Sequence, residues 1–138
     1  MAFVLDNSVV TGWYLPNQAT DYSDAMATRL ETEKALVPAL WQLELANVLK
    51  TACTKGRLTQ AQARQILDAL NQLPIEVDTA APPGQRQWCE LARRYNLSSY
   101  DAAYLELAMR HGLPLATQDE QLKLAATAAG VDVVQPSS

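Results

Sequence analysis

Histidine and cysteine are scarce in this chain of 138 residues, which contains one histidine, His111, and two cysteines, Cys53 and Cys89. The cysteines are far apart in the sequence and form no Cys-x-x-Cys motif. The sulfur and imidazole ligands of a typical zinc site are therefore missing. Both cysteines fall in segments with helical patterning, and we interpret them as small buried apolar groups in a reducing cytoplasm.

Long apolar runs are also missing. No segment approaches the roughly 18 consecutive apolar residues that a membrane-spanning helix requires. The first residues, Met1–Asp6, lack the basic region and the extended apolar core of a secretory signal. We therefore expect one cytoplasmic domain covering residues 1–138, without internal repeats, a disordered linker or a membrane span.

Positive charge is in deficit, with 11 Lys and Arg residues against 15 Asp and Glu residues and a net charge of −4. Such an excess of acids argues at first sight against a nucleic-acid partner. Four acids, however, lie within or directly after apolar segments, where carboxylates are rare unless they are paired or hold a cation. They are Asp6, Glu44, Asp101 and Asp119. Without these four the remaining 11 acids balance the 11 basic residues, so the overall acidity says little about partners.

Short apolar runs alternate with longer segments of helical periodicity. The short runs predict strands at 2–5, 35–37, 75–77, 114–116 and 131–134. The longer segments predict helices near 21–33, 38–54, 59–73, 84–96, 98–111 and 119–129. Alternation of strands and helices with short links predicts a three-layer α/β/α sandwich around a central, mainly parallel sheet.

Asp6 and Asp119 follow the first and the fourth of the predicted strands. Ligand sites in parallel sheets form at the carboxyl ends of the strands, so both acids are expected at one edge of the sheet. Each acid could instead cap the helix that follows it, and for Asp119 taken alone capping is the favoured interpretation. Thr117 could orient a carboxylate or a metal-bound water, or it could satisfy backbone groups at the end of its strand.

Helical phase places Glu44 on the buried side of its predicted helix. At about 100° per residue, Leu40 and Val48 point within about 40° of Glu44, whereas Gln42 and Lys50 point to the other side. An isolated glutamate at the edge of an apolar stripe more often reaches water or pairs with an arginine, and that interpretation stays open.

Helical phase also places Asp101 on the buried side of its predicted helix. Leu105 lies within about 40° of Asp101, whereas Glu106 and Arg110 point roughly 140–180° away. Those two residues are spaced to form an acid–base pair on a solvated face. The alternative for Asp101 is a capping box with Ser98, in which the acid stabilises the start of the helix.

A site made of these four carboxylates contains oxygen ligands alone. Oxygen ligands suit Mg²⁺ or Mn²⁺ rather than zinc, and these ions keep open positions for water and phosphate. Because the four acids are all predicted to converge on one edge of the sheet, the residues point to a divalent-metal site for phosphodiester hydrolysis.

Four segments, in order and at the expected separations, resemble the PIN-domain ribonucleases, specifically the VapC-like toxins of bacterial toxin–antitoxin pairs. The segments are Phe3–Val10, Trp41–Leu49, Leu97–Tyr104 and Leu115–Asp119. The likeness covers essentially the whole chain. One departure is Asn7, at a position where the family commonly has threonine or alanine, and we consider this change harmless.

The resemblance implies a PIN-like fold and a Mg²⁺- or Mn²⁺-dependent endoribonuclease whose acids match Asp6, Glu44, Asp101 and Asp119. Ser8 and Thr117 match accessory hydroxyl positions of the family, and Asn7 is a third candidate accessory residue. By the same resemblance, Asp6, Asp101 and Asp119 coordinate the metal, while Glu44 binds the metal or orients the attacking water. Family precedent also implies in-line attack on RNA that leaves a 5′-phosphate and a 3′-hydroxyl.

The resemblance also implies partners. Toxins of this kind usually form homodimers, and a small VapB-like antitoxin neutralises them. The tail of such an antitoxin often places a basic side chain in the acidic pocket. That side chain would satisfy the same electrostatic demand as the metal and the RNA backbone.

Two other functions stay open. A phosphoacceptor receiver or another flavodoxin-like module also binds Mg²⁺ through acids at strand ends. It would need a second acid beside Asp6, where Asn7 stands, and would use Asp78 after the third strand, leaving Glu44 and Asp101 without a role. A catalytically silent PIN-like protein would act through protein partners alone, so RNA cleavage that requires a divalent metal separates the nuclease from both.

The larger aromatic residues are interpreted as core or dimer-interface residues rather than as platforms for stacking bases. They are Trp13, Tyr14, Trp41, Trp88 and Tyr104. Basic residues cluster within 50–57 and 86–94, where they could contact phosphates. For any one of them, a solvated surface charge is the favoured interpretation.

Overall fold

A four-stranded parallel sheet forms the centre of the computed structural model, which describes residues 1–136. The strands are β1 (Ala2–Leu5), β2 (Lys34–Val37), β3 (Ile75–Val77) and β4 (Leu115–Ala116). Their order across the sheet is β3-β2-β1-β4, and each neighbouring pair runs parallel. The strand that precedes Asp6 is therefore an inner strand, and its residues Phe3, Val4 and Leu5 are fully buried.

Helices connect and flank these strands. They are α1 (Asn7–Tyr14), α2 (Asp21–Arg29), α3 (Leu40–Thr54), α4 (Gln60–Asn71), α5 (Gln85–Tyr95), α6 (Ser99–His111) and α7 (Glu120–Ala128). The arrangement confirms the predicted three-layer α/β/α sandwich with a parallel sheet. Within residues 1–136, none of the helices combines the length and the apolar character needed to cross a bilayer. The last two residues of the predicted domain, 137–138, lie outside the described residues.

Helix α1 is the element that the sequence pattern missed. Its sequence contains Val9, Val10, Thr11 and Gly12, and β-branched residues and glycine have low intrinsic helix propensity. Val9 and Val10 are fully buried in the core. Burial of these side chains stabilises a helix that propensity alone does not predict.

The predicted strand at 131–134 is wrong as an extended strand. The structure has only an isolated parallel bridge, between Leu115 and Val133. Leu115 donates its backbone N–H to Asp132 and accepts one from Val134, at 2.8 Å and 2.9 Å. Because β4 is only two residues long, it offers too few backbone groups to extend this pairing into a ladder.

Several predicted helix ends are confirmed by their hydrogen bonds. The Thr59 hydroxyl accepts the backbone N–H of Gln62, whose side chain accepts the N–H of Thr59, so a complete capping box starts α4. At the start of α6, the Ser98 hydroxyl accepts the backbone N–H of Asp101. Gly112 ends α6 with φ of 62°, a left-handed conformation that favours glycine.

The predicted acid–base pair on α6 is also confirmed. Arg110 Nε donates to Glu106 at 2.8 Å, and Arg110 also donates to Asp78 at 2.9 Å. Burial raises the pKa of Asp78, but the hydrogen bond and the charge of Arg110 outweigh it, so the pKa lies below its usual value. Asp78 follows the edge strand β3 and is engaged in this ion pair.

The two cysteines are less buried than the sequence suggested. Cys53 is half-buried and Cys89 is exposed, so the prediction of burial is wrong for Cys89. Cys89 lies on α5, a helix none of whose residues is fully buried. The core assignment of the aromatic residues is confirmed for Trp41 and Tyr104, which are 7% and 0% exposed.

A close approach between α1 and α2 leads to one stability prediction. A Cβ added at Gly12 would lie 2.5 Å from the Ser23 hydroxyl and 2.6 Å from the Ser23 Cβ. Ser23 is fully buried and exchanges capping hydrogen bonds with Thr20, so it has no room to retreat. We expect Gly12→Ala to lower the free energy of unfolding by about 1–3 kcal/mol, measured by urea denaturation. If the free energy of unfolding rose instead, in line with the higher helix propensity of alanine, this packing argument would be contradicted.

Candidate active site

Asp6 stands between β1 and α1 and is 5% exposed. It occupies the position before the first helical residue, but its side chain makes no capping hydrogen bond. Its Oδ2 atom instead accepts hydrogen bonds from the Ser8 and Thr117 hydroxyls, both at 2.7 Å. The capping interpretation therefore does not account for this carboxylate, which is held by residues from two different segments.

Backbone amides orient the two hydroxyls. Gln118 donates its backbone N–H to Ser8 Oγ at 3.0 Å, and Asp119 donates its own to Thr117 Oγ1 at 3.1 Å. Each hydroxyl thus accepts a hydrogen bond from a backbone N–H and donates one to Asp6 Oδ2. The other oxygen, Oδ1, receives no side-chain hydrogen bond from residues 1–136. Ser8 and Thr117, both predicted as accessory residues, hold the Asp6 carboxylate in one orientation.

Asn7 is the first residue of α1 and is 9% exposed. Its side-chain oxygen, Oδ1, is buried and has no hydrogen-bond partner in the described part of the chain. A buried acceptor without a partner is uncommon in folded proteins. The residue that follows Asp6 in sequence therefore carries an acceptor that no described residue satisfies.

Glu44 lies half-buried on α3, at the edge of the buried stripe formed by Trp41, Leu45 and Leu49. Its position at the edge agrees with the alternative interpretation, but its partner is not an arginine. The Tyr104 hydroxyl donates to Glu44 Oε1 at 2.6 Å. This bond links α3 to α6.

Tyr104 is a residue of the site that the sequence analysis assigned only to the core. It lies three residues after Asp101 on α6, a spacing that places two side chains on one face of a helix. That spacing was a usable signal for Tyr104. The partner on α3 was not predictable, because the two helices are distant in sequence.

Asp101 lies in the first turn of α6 and is half-buried. Its backbone N–H donates to the Ser98 hydroxyl at 3.1 Å. The reciprocal bond of a capping box, from the Ser98 backbone N–H to the Asp101 carboxylate, is not formed among the residues that the structure describes. The capping alternative is therefore only half realised.

Asp119 caps α7. Its Oδ1 atom accepts the backbone N–H of Leu122 at 2.9 Å, which confirms the capping interpretation for this oxygen. Asp119 also lies close enough to Asp6 and Asp101 for its charge to raise the pKa of both. Capping and proximity to the other acids therefore occur together in this residue.

Gln118 is a second residue that the sequence analysis did not single out. Its side-chain Nε2 donates to the Ser8 carbonyl at 3.0 Å, and its Oε1 accepts the Thr20 hydroxyl at 2.6 Å. Thr20 caps α2, so Gln118 ties the segment after β4 to both α1 and α2. No local pattern signals such a role, because all its partners come from distant parts of the chain.

The four acids affect one another electrostatically. Burial, followed by the negative charges of Asp6, Asp119 and Glu44, raises the pKa of Asp101 from 3.8 to about 6, against a smaller opposing effect of a hydrogen bond from Ser98. The structure therefore brings all four predicted site acids into one neighbourhood.

Burial also shifts the pKa of the groups around Asp101. It raises the pKa of Asp6, against the opposing hydrogen bonds from Ser8 and Thr117. It raises the pKa of Glu44, against the opposing hydrogen bond from Tyr104. Burial and the nearby carboxylates raise the pKa of Tyr104 far above its usual value, so its hydroxyl stays protonated and remains the donor.

No positive charge in residues 1–136 compensates these acids. The ion pairs of the described residues join other side chains, and none includes Asp6, Glu44, Asp101 or Asp119. The donor set consists of carboxylate oxygens, which fit a hard divalent cation in their chemistry. Over the same residues, no three His, Cys, Asp or Glu side chains are grouped closely enough to hold a metal ion as they stand.

Comparison with known proteins identifies relatives. The family described as PIN domain matches residues 3–128. The chain is 34% identical over 92 residues to ribonuclease VapC1 of Mycobacterium tuberculosis, covering 64% of this chain and 65% of that relative, so it spans just under two thirds of the relative's length. It is 27% identical over 124 residues to ribonuclease VapC3 of Pyrobaculum aerophilum, covering 88% and 92% of the two chains.

A solved structure has the same fold. The crystal structure of VapBC2 from Rickettsia felis, bound to a DNA fragment from their promoter, superimposes with a TM-score of 0.68. The match covers 97% of this chain and 98% of that one. At 13% sequence identity this likeness establishes the fold alone.

Proposed function

The chain belongs to the PIN-domain family, and on that premise we propose that it is a metal-dependent endoribonuclease that acts as the toxin of a toxin–antitoxin pair. Ribonucleases are among its relatives, and the acids of the candidate site suit the hydrolysis of phosphodiester bonds. The main observation behind this proposal is a set of four acids near the carboxyl end of β1 that repel one another and form no ion pair with a basic residue of 1–136.

The charge of this site supports a requirement for a cation. RNA is an anion, so an uncompensated acidic pocket repels it. When bound, Mg²⁺ or Mn²⁺ would neutralise negative charge on the phosphate and would lower the pKa of a water molecule. Asp6, Asp101 and Asp119 are the residues that we propose hold this ion, with Glu44 as a further ligand or as the residue that orients the attacking water.

The residues of the chain have separate roles in this proposal. The Ser8 and Thr117 hydroxyls hold Asp6 through Oδ2, and Oδ1, which receives no side-chain hydrogen bond from residues 1–136, would bind the ion. Tyr104 occupies Glu44 Oε1 and leaves Oε2 to receive a hydrogen bond from the attacking water. The water attacks phosphorus in line with the departing 3′-oxygen, which leaves a 5′-phosphate and a 3′-hydroxyl.

Partners form part of the same proposal. A small VapB-like antitoxin would neutralise the toxin by placing a basic side chain among Asp6, Glu44 and Asp101. The three pKa values, all raised by burial and by like charges, support this, since a cationic side chain would relieve the repulsion. We further propose that the toxin forms a homodimer.

Cleavage of RNA by the purified protein tests the proposed function. We expect total cellular RNA to be cut in the presence of Mg²⁺ or Mn²⁺ and to stay intact in EDTA, because the acids alone repel the substrate. Sequencing the ends of the fragments should show 5′-phosphates at defined positions. Cleavage that persists in EDTA would contradict metal dependence. Intact RNA with every metal would contradict the nuclease and favour a silent PIN-like protein.

A further inference from the structure

The hydrogen bond between Tyr104 and Glu44 has a further consequence for cation binding at the site. Tyr104 is 0% exposed, and its hydroxyl donates to Glu44 Oε1 at 2.6 Å across 60 residues of sequence. This distance is in the range of a hydrogen bond from a hydroxyl to an ionised carboxylate. We propose that Tyr104 is a positioning residue, which holds the Glu44 carboxylate in place for a divalent cation; this inference rests on the proposed function.

The environment of Glu44 explains why it needs such a residue. Glutamate has several rotatable side-chain bonds, and Glu44 stands at the half-buried edge of α3, where packing on one side leaves the carboxylate free to move. The hydrogen bond from Tyr104 removes that freedom. It occupies one carboxylate oxygen, Oε1, while Oε2 has no hydrogen-bond partner among residues 1–136 and can bind a ligand.

The position of Tyr104 on α6 makes its hydroxyl a rigid anchor. Its ring is packed within the hydrophobic core, so the hydroxyl has one location. Asp101 lies one turn earlier on the same helix. A single rigid element therefore sets the position of Asp101 directly and that of Glu44 through Tyr104, which fixes the two carboxylates relative to each other.

A merely structural role is the alternative, since buried tyrosine hydroxyls usually find some acceptor. The two roles differ in what happens to cation binding. A structural hydroxyl contributes to the stability of the fold and has no effect on the affinity for a metal. A positioning hydroxyl changes that affinity, because groups that orient metal ligands typically contribute about 10–100-fold.

Isothermal titration of the full chain with Mn²⁺ alone tests the inference. We expect Tyr104→Phe to weaken Mn²⁺ binding by about 10–100-fold. The variant removes one oxygen and keeps the ring that fills the core, and its partner Glu44 is near enough to solvent to be hydrated, so the fold is retained. Tyr14→Phe is the matched control, because the Tyr14 hydroxyl is also buried but has no hydrogen-bond partner among residues 1–136. We expect it to bind Mn²⁺ like the unmodified protein.

A double-mutant cycle separates positioning from any indirect effect. In a Glu44→Gln background the carboxylate that Tyr104 holds is gone, so we expect Tyr104→Phe to change Mn²⁺ affinity by less than about twofold. Equal affinities of Tyr104→Phe and the unmodified protein would overturn this inference and leave the proposed function intact. An equal loss in both backgrounds would also overturn it. An unmodified protein that binds no Mn²⁺ would overturn the proposed function as well.

Discussion

Asp6→Asn is expected to reduce the rate of metal-dependent RNA cleavage by more than about 100-fold, because even residues that only orient metal ligands contribute about 10–100-fold. The substitution removes the charge of the most buried of the four acids, which is 5% exposed. Asparagine keeps an oxygen that can accept the hydrogen bonds from Ser8 and Thr117, so the local structure should persist. The rate is measured by fragment appearance from RNA with saturating Mg²⁺ or Mn²⁺.

Asp78→Asn is the matched control for this experiment. Asp78 also follows a strand, but it pairs with Arg110 and lies after the edge strand β3. Its replacement should leave the cleavage rate within about twofold, in a protein whose circular dichroism spectrum is unchanged. A cleavage rate that Asp6→Asn leaves untouched would refute the site assignment. Cleavage that depends on Asp78 instead would contradict the proposed set of four acids, because Asp78 lies outside it.

Metal-free protein is expected to be less stable at about pH 7.5 than at about pH 5, because of the clustered acids. The pKa of Asp101 is about 6 in the folded protein and near 3.8 when unperturbed, with burial as the largest cause. Between these values the folded state binds more protons than the unfolded state, so stability falls as the pH rises through this window. The raised pKa values of Asp6 and Glu44 act in the same direction. Urea denaturation in EDTA across this range measures the effect.

Asp101→Asn should reduce this loss of stability of the metal-free protein at high pH. We expect its melting temperature in EDTA at about pH 7.5 to exceed that of the unmodified protein, because one of the mutually repelling charges is gone. Its stabilisation by added Mg²⁺ should be smaller, since a proposed ligand is lost. Asp68→Asn, at an exposed acid on α4, is the control and should change neither quantity. A metal-free melting temperature of Asp101→Asn below that of the unmodified protein would contradict a crowded acidic pocket.

Local patterns were sufficient for most of the fold and for the neighbourhood of the four acids. Alternation of short apolar runs with helical segments predicted the four strands and six of the helices, since burial of one face imposes a period on the sequence. Helical phase separated Asp101 from Glu106, and the latter does pair with Arg110. These features are predictable because they depend on residues within one or two turns of one another.

Contacts between distant segments were not predictable in this way. The bond from Tyr104 to Glu44 and the hydrogen bonds of Gln118 join residues that no local period relates. Helix α1 forms because Val9 and Val10 are buried, although their β-branched side chains disfavour a helix. The extended strand expected at 131–134 reduces to a single bridge, because β4 is too short to pair with more.

The chain therefore encodes the identity of its acids and their approximate edge of the sheet in its pattern of apolar and charged residues. The orientation of each carboxylate depends instead on the folded state. Asp6 is held by two hydroxyls, Glu44 by Tyr104, and Asp119 by its own helix. The physical reason is range: hydrophobic periodicity acts within an element, whereas hydrogen-bond geometry at a site requires elements that meet only after folding.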